Sequence, residues 1–280
     1  MSVGFIGLGN IGKPMARHLL KLPEAVWVYD IAPGPLAELQ SLGANVAADP
    51  GTLAKVCRIV GVCVRDDNDV EALLSGENGL LANAAPDTVL AIHSTVTQAA
   101  LLRWAEQGAA RGIHVIDAPM TGGATGAEAA TLCYMVGGSA EIIARCEPVF
   151  STSGNKIVHC GAVGSGIAVK LCNNLMSYAA FAAMYEAARL AEACGLPLAK
   201  LQEVGRANGV VTPQMTAFIE GQLAAMRHGE AALVAAFGPN GRLGTKDLGA
   251  ALQSAAQLRL ELPVTAHLQG LIEDIFLRKI

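Results

Sequence analysis

The order of strand, glycine turn and helix at the start of the chain restricts its fold more than any other feature. Residues 2–6 form an apolar run typical of a buried strand, residues 13–21 have a helical pattern, and residues 26–29 form a second apolar run. Between the first strand and the helix lies the turn Gly7-Leu8-Gly9-Asn10-Ile11-Gly12. Two strands joined through a helix in this way run parallel, so the sequence predicts a doubly wound α/β sheet.

The same turn predicts a dinucleotide site. Gly7 permits the tight turn, Gly9 lets the backbone approach a pyrophosphate, and Gly12 lets the helix pack against the strand. The helix N-terminus attracts the phosphate charge. Asp30, 18 residues after Gly12, is placed to accept hydrogen bonds from a ribose and to repel a 2′-phosphate. We therefore predict NAD rather than NADP, the alternative for Asp30 being a carboxylate that caps its own loop.

Further strands follow at the spacing of a doubly wound sheet. Strand patterns cover residues 44–47, 59–64, 89–92, 115–118, 132–136 and 156–160, and helical patterns cover 68–74, 98–111 and 140–150. Ligands in such sheets lie beyond the carboxyl ends of the strands, which makes Val64, Arg65 and Thr95 candidate cofactor contacts. Arg65 faces either a phosphate or solvent. Thr95 either contacts the nicotinamide side or caps the next helix.

A segment over residues 117–127, which the sequence predicts to be a glycine-rich loop, is the candidate substrate site. The amides of Gly122 and Gly123 and the hydroxyl of Thr121 form an anion-binding nest suited to a carboxylate. The alternative is a turn that binds nothing. We predict a small carboxylated substrate.

A long helical pattern over residues 165–193, with Ser165 as the expected N-cap, leads into the second half of the chain. Its polar residues share one helical face at spacings i, i+3, i+4 and i+7: Lys170, Asn173, Asn174 and Ser177. Apolar residues flank this polar stripe on both sides. This pattern favours the interpretation that the stripe lines a cleft. The alternative is a narrow wet face with an ordinary lysine.

No strand pattern returns after the long helix. Helical patterns cover residues 198–206, 215–227, 243–256 and 264–277, and residues 237–243 have the Gly and Pro content of a loop. We therefore predict a Rossmann-type domain over residues 1–163 and an all-helical domain over residues 164–280, with the long helix joining them.

Composition excludes several classes of protein. The net charge of −4 has no runs of one sign, so nothing indicates binding to nucleic acid or to an anionic membrane. No stretch of about 18 residues is apolar enough to span a bilayer. The seven cysteines lack the close pairs of metal or redox sites, which favours reduced thiols in the cytoplasm and no bound metal.

Four ordered motifs together resemble the β-hydroxyacid dehydrogenase family over nearly the whole chain. They are the glycine turn at 7–12, Asp117-Ala118-Pro119-Met120-Thr121-Gly122-Gly123, Gly164-Ser165-Gly166 with Lys170 and Asn174, and Lys246-Asp247-Leu248. The family includes 3-hydroxyisobutyrate dehydrogenase and tartronate semialdehyde reductase.

The resemblance implies reversible oxidation of a small 3-hydroxy acid by NAD. It implies Lys170 as the catalytic acid/base and Asn174 as the residue that orients the substrate, whose carboxylate is held by the segment 121–123. It places Lys246 near the nicotinamide, braced by Asp247, and it implies a homodimer or homotetramer.

Some residues depart from the family pattern. Position 121 is Thr where Ser is usual, and Gln98 stands where a proline is frequent. His93 replaces a frequent acid, and we interpret it as a structural residue at the end of a strand. The segment 237–243 is about two residues longer than usual, and we expect it to border the substrate.

Three other functions fit parts of the pattern. An imine reductase on the same scaffold typically lacks the lysine, so Lys170 argues against it. A non-catalytic module is opposed by Lys170, Asn174 and the intact segment 121–123. An NADP-linked aldehyde reductase is opposed by Asp30.

Overall fold

A computed structural model describes residues 2–280, and the chain divides into two compact units between Lys170 and Leu171. The division lies inside helix α9 (Ser165–Ala193), whose 29 residues begin in the first unit and end in the second. The sequence predicts a domain boundary seven residues earlier, at the start of this helix. The division into two separate domains, over residues 1–163 and 164–280, stays a prediction.

The first unit is built on a nine-stranded sheet. Its strands are β1 (Ser2–Ile6), β2 (Val26–Tyr29), β3 (Asn45–Val46), β4 (Cys57–Val62), β5 (Val89–Ile92), β6 (His114–Asp117), β7 (Met120–Thr121), β8 (Leu132–Gly137) and β9 (Gly154–Gly161). The order across the sheet is β3-β2-β1-β4-β5-β6-β8-β7, with β9 beside β8. Strands β1 to β6 pair in parallel, and β8 runs antiparallel to β6 and β7. This confirms the predicted Rossmann-type sheet.

Eight helices belong to the described part of the first unit before α9. They are α1 (Gly12–Leu19), α2 (Pro33–Ser41), α3 (Pro50–Val56), α4 (Asp67–Leu74), α5 (Leu80–Asn83), α6 (Gln98–Ala109), α7 (Gly123–Glu128) and α8 (Ala140–Phe150). Four of them begin where a short polar side chain accepts a backbone N–H three residues later. These caps are Asp49 for α3, Asp66 for α4, Thr97 for α6 and Ser139 for α8.

Two segments of the first unit differ from the sequence-based expectation. Pro33, Gly34 and Pro35 have the composition of a turn, but they begin helix α2, because a proline in the first helical turn needs no hydrogen-bond donor. The glycine-rich segment 117–127 was expected to be a loop. It forms the short strand β7 and helix α7 instead, with Gly122 between them at a positive φ of 127°.

The second unit is helical, as predicted. It holds the C-terminal part of α9 and the helices α10 (Leu198–Ala207), α11 (Pro213–Met226), α12 (Glu230–Gln257) and α13 (Pro263–Phe276). Aromatic side chains from four helices form its core, with Phe181 and Phe218 at 4.6 Å between ring centroids and Phe218 and Phe276 at 5.0 Å. None of the helices within residues 2–280 is long and apolar enough to cross a membrane.

The loop predicted at residues 237–243 is wrong, because this segment lies inside helix α12. Its glycines are packing positions in the helix. A Cβ at Gly241 would lie 3.1 Å from Glu273 Cα and 3.2 Å from Phe276 Cβ, and one at Gly244 would lie 3.0 Å from the Tyr178 ring. Small residues at these positions let α12 and α13 approach closely.

This packing makes a direct prediction. We expect Gly241→Ala to lower the free energy of unfolding by about 1–2 kcal/mol, because overpacking against the α13 backbone outweighs the better helix propensity of alanine. Gly270→Ala is the matched control: Gly270 lies in α13, and its Cβ would meet nothing within 4 Å. It should stabilise the fold by about 0.5–1 kcal/mol. Urea denaturation compares the two, and equal midpoints would contradict this account of the helix packing.

Candidate active site

The three glycines of the N-terminal turn occupy different environments. A Cβ at Gly7 would lie 2.1 Å from the Cys63 carbonyl oxygen, and one at Gly12 would lie 1.9 Å from the Gly7 carbonyl oxygen. Both glycines are therefore required by the protein's own packing. Gly9 has nothing within 4 Å of the same position. The space in front of Gly9 is open for a ligand, as a pyrophosphate at this turn requires.

Asp30 follows β2, and both of its carboxylate oxygens accept backbone N–H groups. Oδ2 accepts from Leu8 at 2.5 Å, and Oδ1 accepts from Ala32 at 2.7 Å. The first contact ties the carboxylate to the glycine turn and the second caps its own loop. Each carboxylate oxygen has a further lone pair, so these two bonds leave acceptor capacity for ribose hydroxyl groups.

The carboxyl ends of β4 and β5 are linked to each other by hydrogen bonds. The Val64 N–H donates to the Ser94 hydroxyl at 2.8 Å, and Thr95 follows Ser94 as a half-buried residue. The Arg65 side chain is 81% exposed and donates to both oxygens of Asp69, at 2.7 and 2.9 Å. Asp69 is therefore the partner of this guanidinium in the structure.

His93 belongs to the core of the first unit. It is buried, its Nδ1–H donates to the Ala118 carbonyl at 2.8 Å, and its ring stacks on Phe5 at 5.8 Å between centroids. Burial lowers the pKa of His93 to about 4, so the ring is neutral at neutral pH. The interpretation of His93 as a structural residue is confirmed.

The Thr121-Gly122-Gly123 segment leads directly into α7. Gly122 and Gly123 are exposed and have positive φ angles of 127° and 62°, conformations that favour glycine. Nothing lies within 4 Å of a Cβ at Gly123. The backbone is thus accessible at the position where the sequence predicts a bound carboxylate.

Lys170 is half-buried near the start of α9 and lies against this segment. Its Nζ donates a hydrogen bond to the Met120 carbonyl oxygen at 2.8 Å, one residue before Thr121. The first unit therefore brings together an amine and the predicted carboxylate-binding segment, although the two are 50 residues apart in the chain.

Asn174 lies in the part of α9 that belongs to the second unit. It is buried, and its Nδ2 donates to Asp247 Oδ2 at 2.7 Å. The Tyr178 hydroxyl donates to the same oxygen at 3.2 Å, and burial raises the pKa of Tyr178 well above its usual range. Lys246 Nζ lies 3.0 Å from Asp247 Oδ1, an ion pair without the alignment of a hydrogen bond.

Sequence reasoning missed two features of these networks. Tyr178 was not singled out, although its spacing of i+4 from Asn174 on a helix is a signal that both reach one partner. Asp117 was placed in the substrate segment, whereas its buried carboxylate accepts N–H groups from the start of α9. The distance of 47 residues to its nearest partner left no local signal.

The other side chains give no sign of a metal site. Within residues 2–280, no group of three or more His, Cys, Asp or Glu side chains is arranged to hold an ion. The seven cysteines are free thiols. Burial raises the pKa of the Cys57 and Cys146 thiols to about 12, so both are packed as neutral groups.

Family models match both parts of the chain. Residues 2–161 match the NAD binding domain of 6-phosphogluconate dehydrogenase, and residues 164–277 match the model described as NAD-binding of NADP-dependent 3-hydroxyisobutyrate dehydrogenase.

Individual proteins are similar over almost the full length. The 3-hydroxyisobutyrate dehydrogenase of Pseudomonas aeruginosa is 35% identical over 96% of this chain and 90% of its own. The 2-(hydroxymethyl)glutarate dehydrogenase of Eubacterium barkeri is 34% identical over 98% of this chain and 88% of its own. The solved structure of Mycobacterium tuberculosis 3-hydroxyisobutyrate dehydrogenase with L-serine is 28% identical, covers 97% of this chain and 92% of its own, and has a TM-score of 0.83.

These matches extend over both units and agree with the order of the four motifs in the sequence. The chain therefore belongs to the β-hydroxyacid dehydrogenase family.

Proposed function

We propose that this protein is an NAD-dependent dehydrogenase that interconverts a small 3-hydroxy acid and its semialdehyde, with Lys170 as the general acid/base. The observation that carries the proposal is the 2.8 Å hydrogen bond from Lys170 Nζ to the Met120 carbonyl. It holds a proton-transfer group beside Thr121, Gly122 and Gly123, in a unit that also contains a glycine turn for a dinucleotide. Membership of the dehydrogenase family supports the same reaction.

The cofactor fits the residues that are present. Backbone amides of the turn over residues 7–12 (Gly7, Leu8, Gly9, Asn10, Ile11 and Gly12) are proposed to receive the pyrophosphate, with the open space at Gly9 as support. Asp30 is proposed to accept the ribose hydroxyls, and Val64, Arg65 and Thr95 to border the cofactor. Lys246 is proposed as a cofactor contact on the ground of the family resemblance. When bound, the nicotinamide supplies the hydride acceptor or donor.

The substrate's carboxylate is proposed to bind the amides of Gly122 and Gly123 and the Thr121 hydroxyl. This leaves the hydroxyl-bearing carbon to face Lys170. Asn174 is proposed to orient the substrate on the ground of the family resemblance. Within its own unit its Nδ2 is held by Asp247, so its Oδ1 is the atom that remains to accept a hydrogen bond.

Lys170 then moves the proton in both directions. Oxidation of an alcohol leaves a hydroxyl proton that the neutral amine accepts, and reduction forms an alkoxide to which the ammonium donates. A lysine ordinarily titrates near 10.4, so the oxidative direction requires an environment that favours the neutral amine. The Met120 carbonyl accepts one N–H of the Lys170 amine. The remaining hydrogens on Nζ, or its lone pair, therefore point away from this carbonyl.

We also propose a homodimer or homotetramer that works in the cytoplasm. The second unit exposes several large apolar side chains, among them Met176 at 67%, Leu190 at 68% and Val264 at 74%. Contiguous apolar patches mark interfaces between proteins, and the family resemblance supports the same assembly. Free thiols support a reducing compartment. Light scattering coupled to size exclusion gives the number of chains directly.

Initial rates across a panel test the function. The substrates are 3-hydroxyisobutyrate, 3-hydroxypropionate, glycerate, serine and threonine, each with NAD and with NADP, and the semialdehydes in reverse. We expect turnover with NAD for at least one 3-hydroxy acid and none for the matching alcohol that lacks the carboxylate. Turnover of imines in place of hydroxy acids would contradict the proposal.

Asp30 provides a separate test of cofactor choice. We expect Asp30→Ala to lower the preference for NAD over NADP in kcat/KM by about tenfold or more, because a ribose acceptor is lost and a repelling charge is removed. Glu38→Ala, which removes a carboxylate of helix α2 paired with Lys13, is the control and should leave the ratio unchanged. An unchanged ratio in Asp30→Ala would mean that this carboxylate serves only its backbone contacts.

A further inference from the structure

The N-terminus of helix α9 is held by a carboxylate from a distant strand. Asp117, the last residue of β6, is fully buried, and its Oδ1 accepts the Gly164 N–H at 2.8 Å. Its Oδ2 accepts the Ile167 N–H, also at 2.8 Å. The first turn of a helix has N–H groups without intrahelical partners, and a negative charge there is stabilised by the helix dipole. One side chain thus satisfies two of these donors.

Two glycines border the Asp117 carboxylate closely. A Cβ at Gly137 would lie 2.4 Å from Asp117 Oδ1, and a Cβ at Gly166 would lie 2.9 Å from Oδ2 and 2.3 Å from the Met135 carbonyl. Both positions therefore need glycine for the carboxylate and the helix to approach. Burial raises the pKa of Asp117, whereas the donated N–H groups favour its charged form.

The same strand segment contacts α9 a second time at Lys170. Met120 follows Asp117 by three residues, and its carbonyl accepts the Lys170 amine at 2.8 Å. Lys170 follows Ile167 by three residues, which is close to one helical turn. The segment 117–120 therefore contacts the helix at two successive turns, first through backbone N–H groups and then through the amine.

We propose that Asp117 is a positioning residue for Lys170: it fixes where α9 begins and so fixes the amine beside the substrate segment. This inference rests on the proposed role of Lys170. Lys170 is only the sixth residue of α9, so loss of the first turn would leave it at a frayed helix end. Asp117 itself has no access to a substrate, since it is fully buried and both oxygens face the helix backbone.

The first test measures the position of the amine without any turnover. Acetic anhydride modifies accessible amines, and peptide mass spectrometry reports the rate at each lysine. We expect Asp117→Asn to raise the acetylation rate of Lys170 by about threefold or more, because the first turn opens more often. The exposed Lys156 of the same unit is the internal standard. Asp49→Asn, which removes the carboxylate that caps α3, is the matched control and should leave Lys170 unchanged.

The second test asks whether Asp117 acts through Lys170. We expect Asp117→Asn to lower kcat about tenfold with little change in cofactor affinity, since a small displacement of an acid/base group is costly. In a Lys170→Ala background the same substitution should change kcat by less than about twofold, because the group that it positions is absent.

The outcomes separate this inference from the proposed function. Faster acetylation with a coupled loss of kcat supports the positioning role. Unchanged acetylation of Lys170, or an equal loss of kcat in both backgrounds, overturns it. Wild-type protein without dehydrogenase turnover would remove the proposed function, and the acetylation rates would still decide whether Asp117 holds the helix start and the amine.

Discussion

Lys170→Ala is expected to lower kcat by about 10³-fold, because no other group is proposed to exchange the hydroxyl proton during hydride transfer. NAD affinity should change little, because Lys170 is not among the proposed cofactor contacts, which are the glycine turn, the ends of β2, β4 and β5, and Lys246. Steady-state kinetics with the fastest substrate of the panel and fluorescence titration with NADH measure the two quantities.

Lys156→Ala is the control for this substitution. Lys156 is an exposed lysine on β9 in the same unit, and the predicted function gives it no part in the reaction. Its kcat should equal that of the wild type. A Lys170→Ala variant that keeps more than about a tenth of wild-type turnover would be incompatible with general acid/base catalysis by this residue.

A second large effect is expected at the glycine turn, where alanine substitutions at two nearby glycines should change different properties, cofactor affinity in one case and stability in the other. Gly9→Ala places a methyl group in the open space proposed for the pyrophosphate, so we expect cofactor affinity to fall by about 30-fold or more with unfolding unchanged. In Gly12→Ala the methyl group would overlap the Gly7 carbonyl oxygen at 1.9 Å, so we expect a loss of stability of at least about 2 kcal/mol.

Thermal unfolding without cofactor and titration with NADH separate the two variants. Each is the control for the other, because the substitution is the same and the positions are three residues apart. If Gly9→Ala bound NADH as tightly as the wild type, the pyrophosphate could not lie over this glycine. If Gly12→Ala unfolded like the wild type, the contact between α1 and the turn would be misassigned.

The sheet was predictable because burial leaves a simple pattern in sequence. Parallel strands covered on both faces are largely apolar, and β1, β4 and β5 all appear as short, mainly apolar runs between polar or glycine-rich segments. Helix α9 was predictable for a related reason: its 29 residues contain no glycine or proline after Gly166. In these elements the local sequence pattern and the tertiary packing favour the same secondary structure.

Helix α12 was not predictable in the same way, because glycine and proline are typical of loops but also occur inside helices. Gly238, Pro239 and Gly241 are typical of a loop, so the sequence predicts a loop there. In the structure Gly241 lies where α12 packs closely against α13, and Pro239 lies inside the helix. Tertiary packing overrides local propensity there, and only the partner helix reveals it.

The candidate site was likewise predictable only in part. Lys170 and the segment 121–123 were identified from residue types and order, and their contact through Met120 is a tertiary fact that the sequence did not contain. The sequence does not decide whether Arg65 faces a phosphate or solvent, because a guanidinium suits both environments. Its bidentate pairing with Asp69, four residues later, follows from the start of α4.

The most direct measurement is the destination of the hydrogen on the hydroxyl-bearing carbon. The panel substrate with the highest kcat/KM is prepared with deuterium at that carbon, and the reduced nicotinamide is analysed by mass spectrometry. The account predicts one deuterium in each reduced cofactor and a slower reaction with the labelled substrate. Reduced cofactor without deuterium, or no reduction with any carboxylated hydroxy acid while NADH still binds, would contradict it.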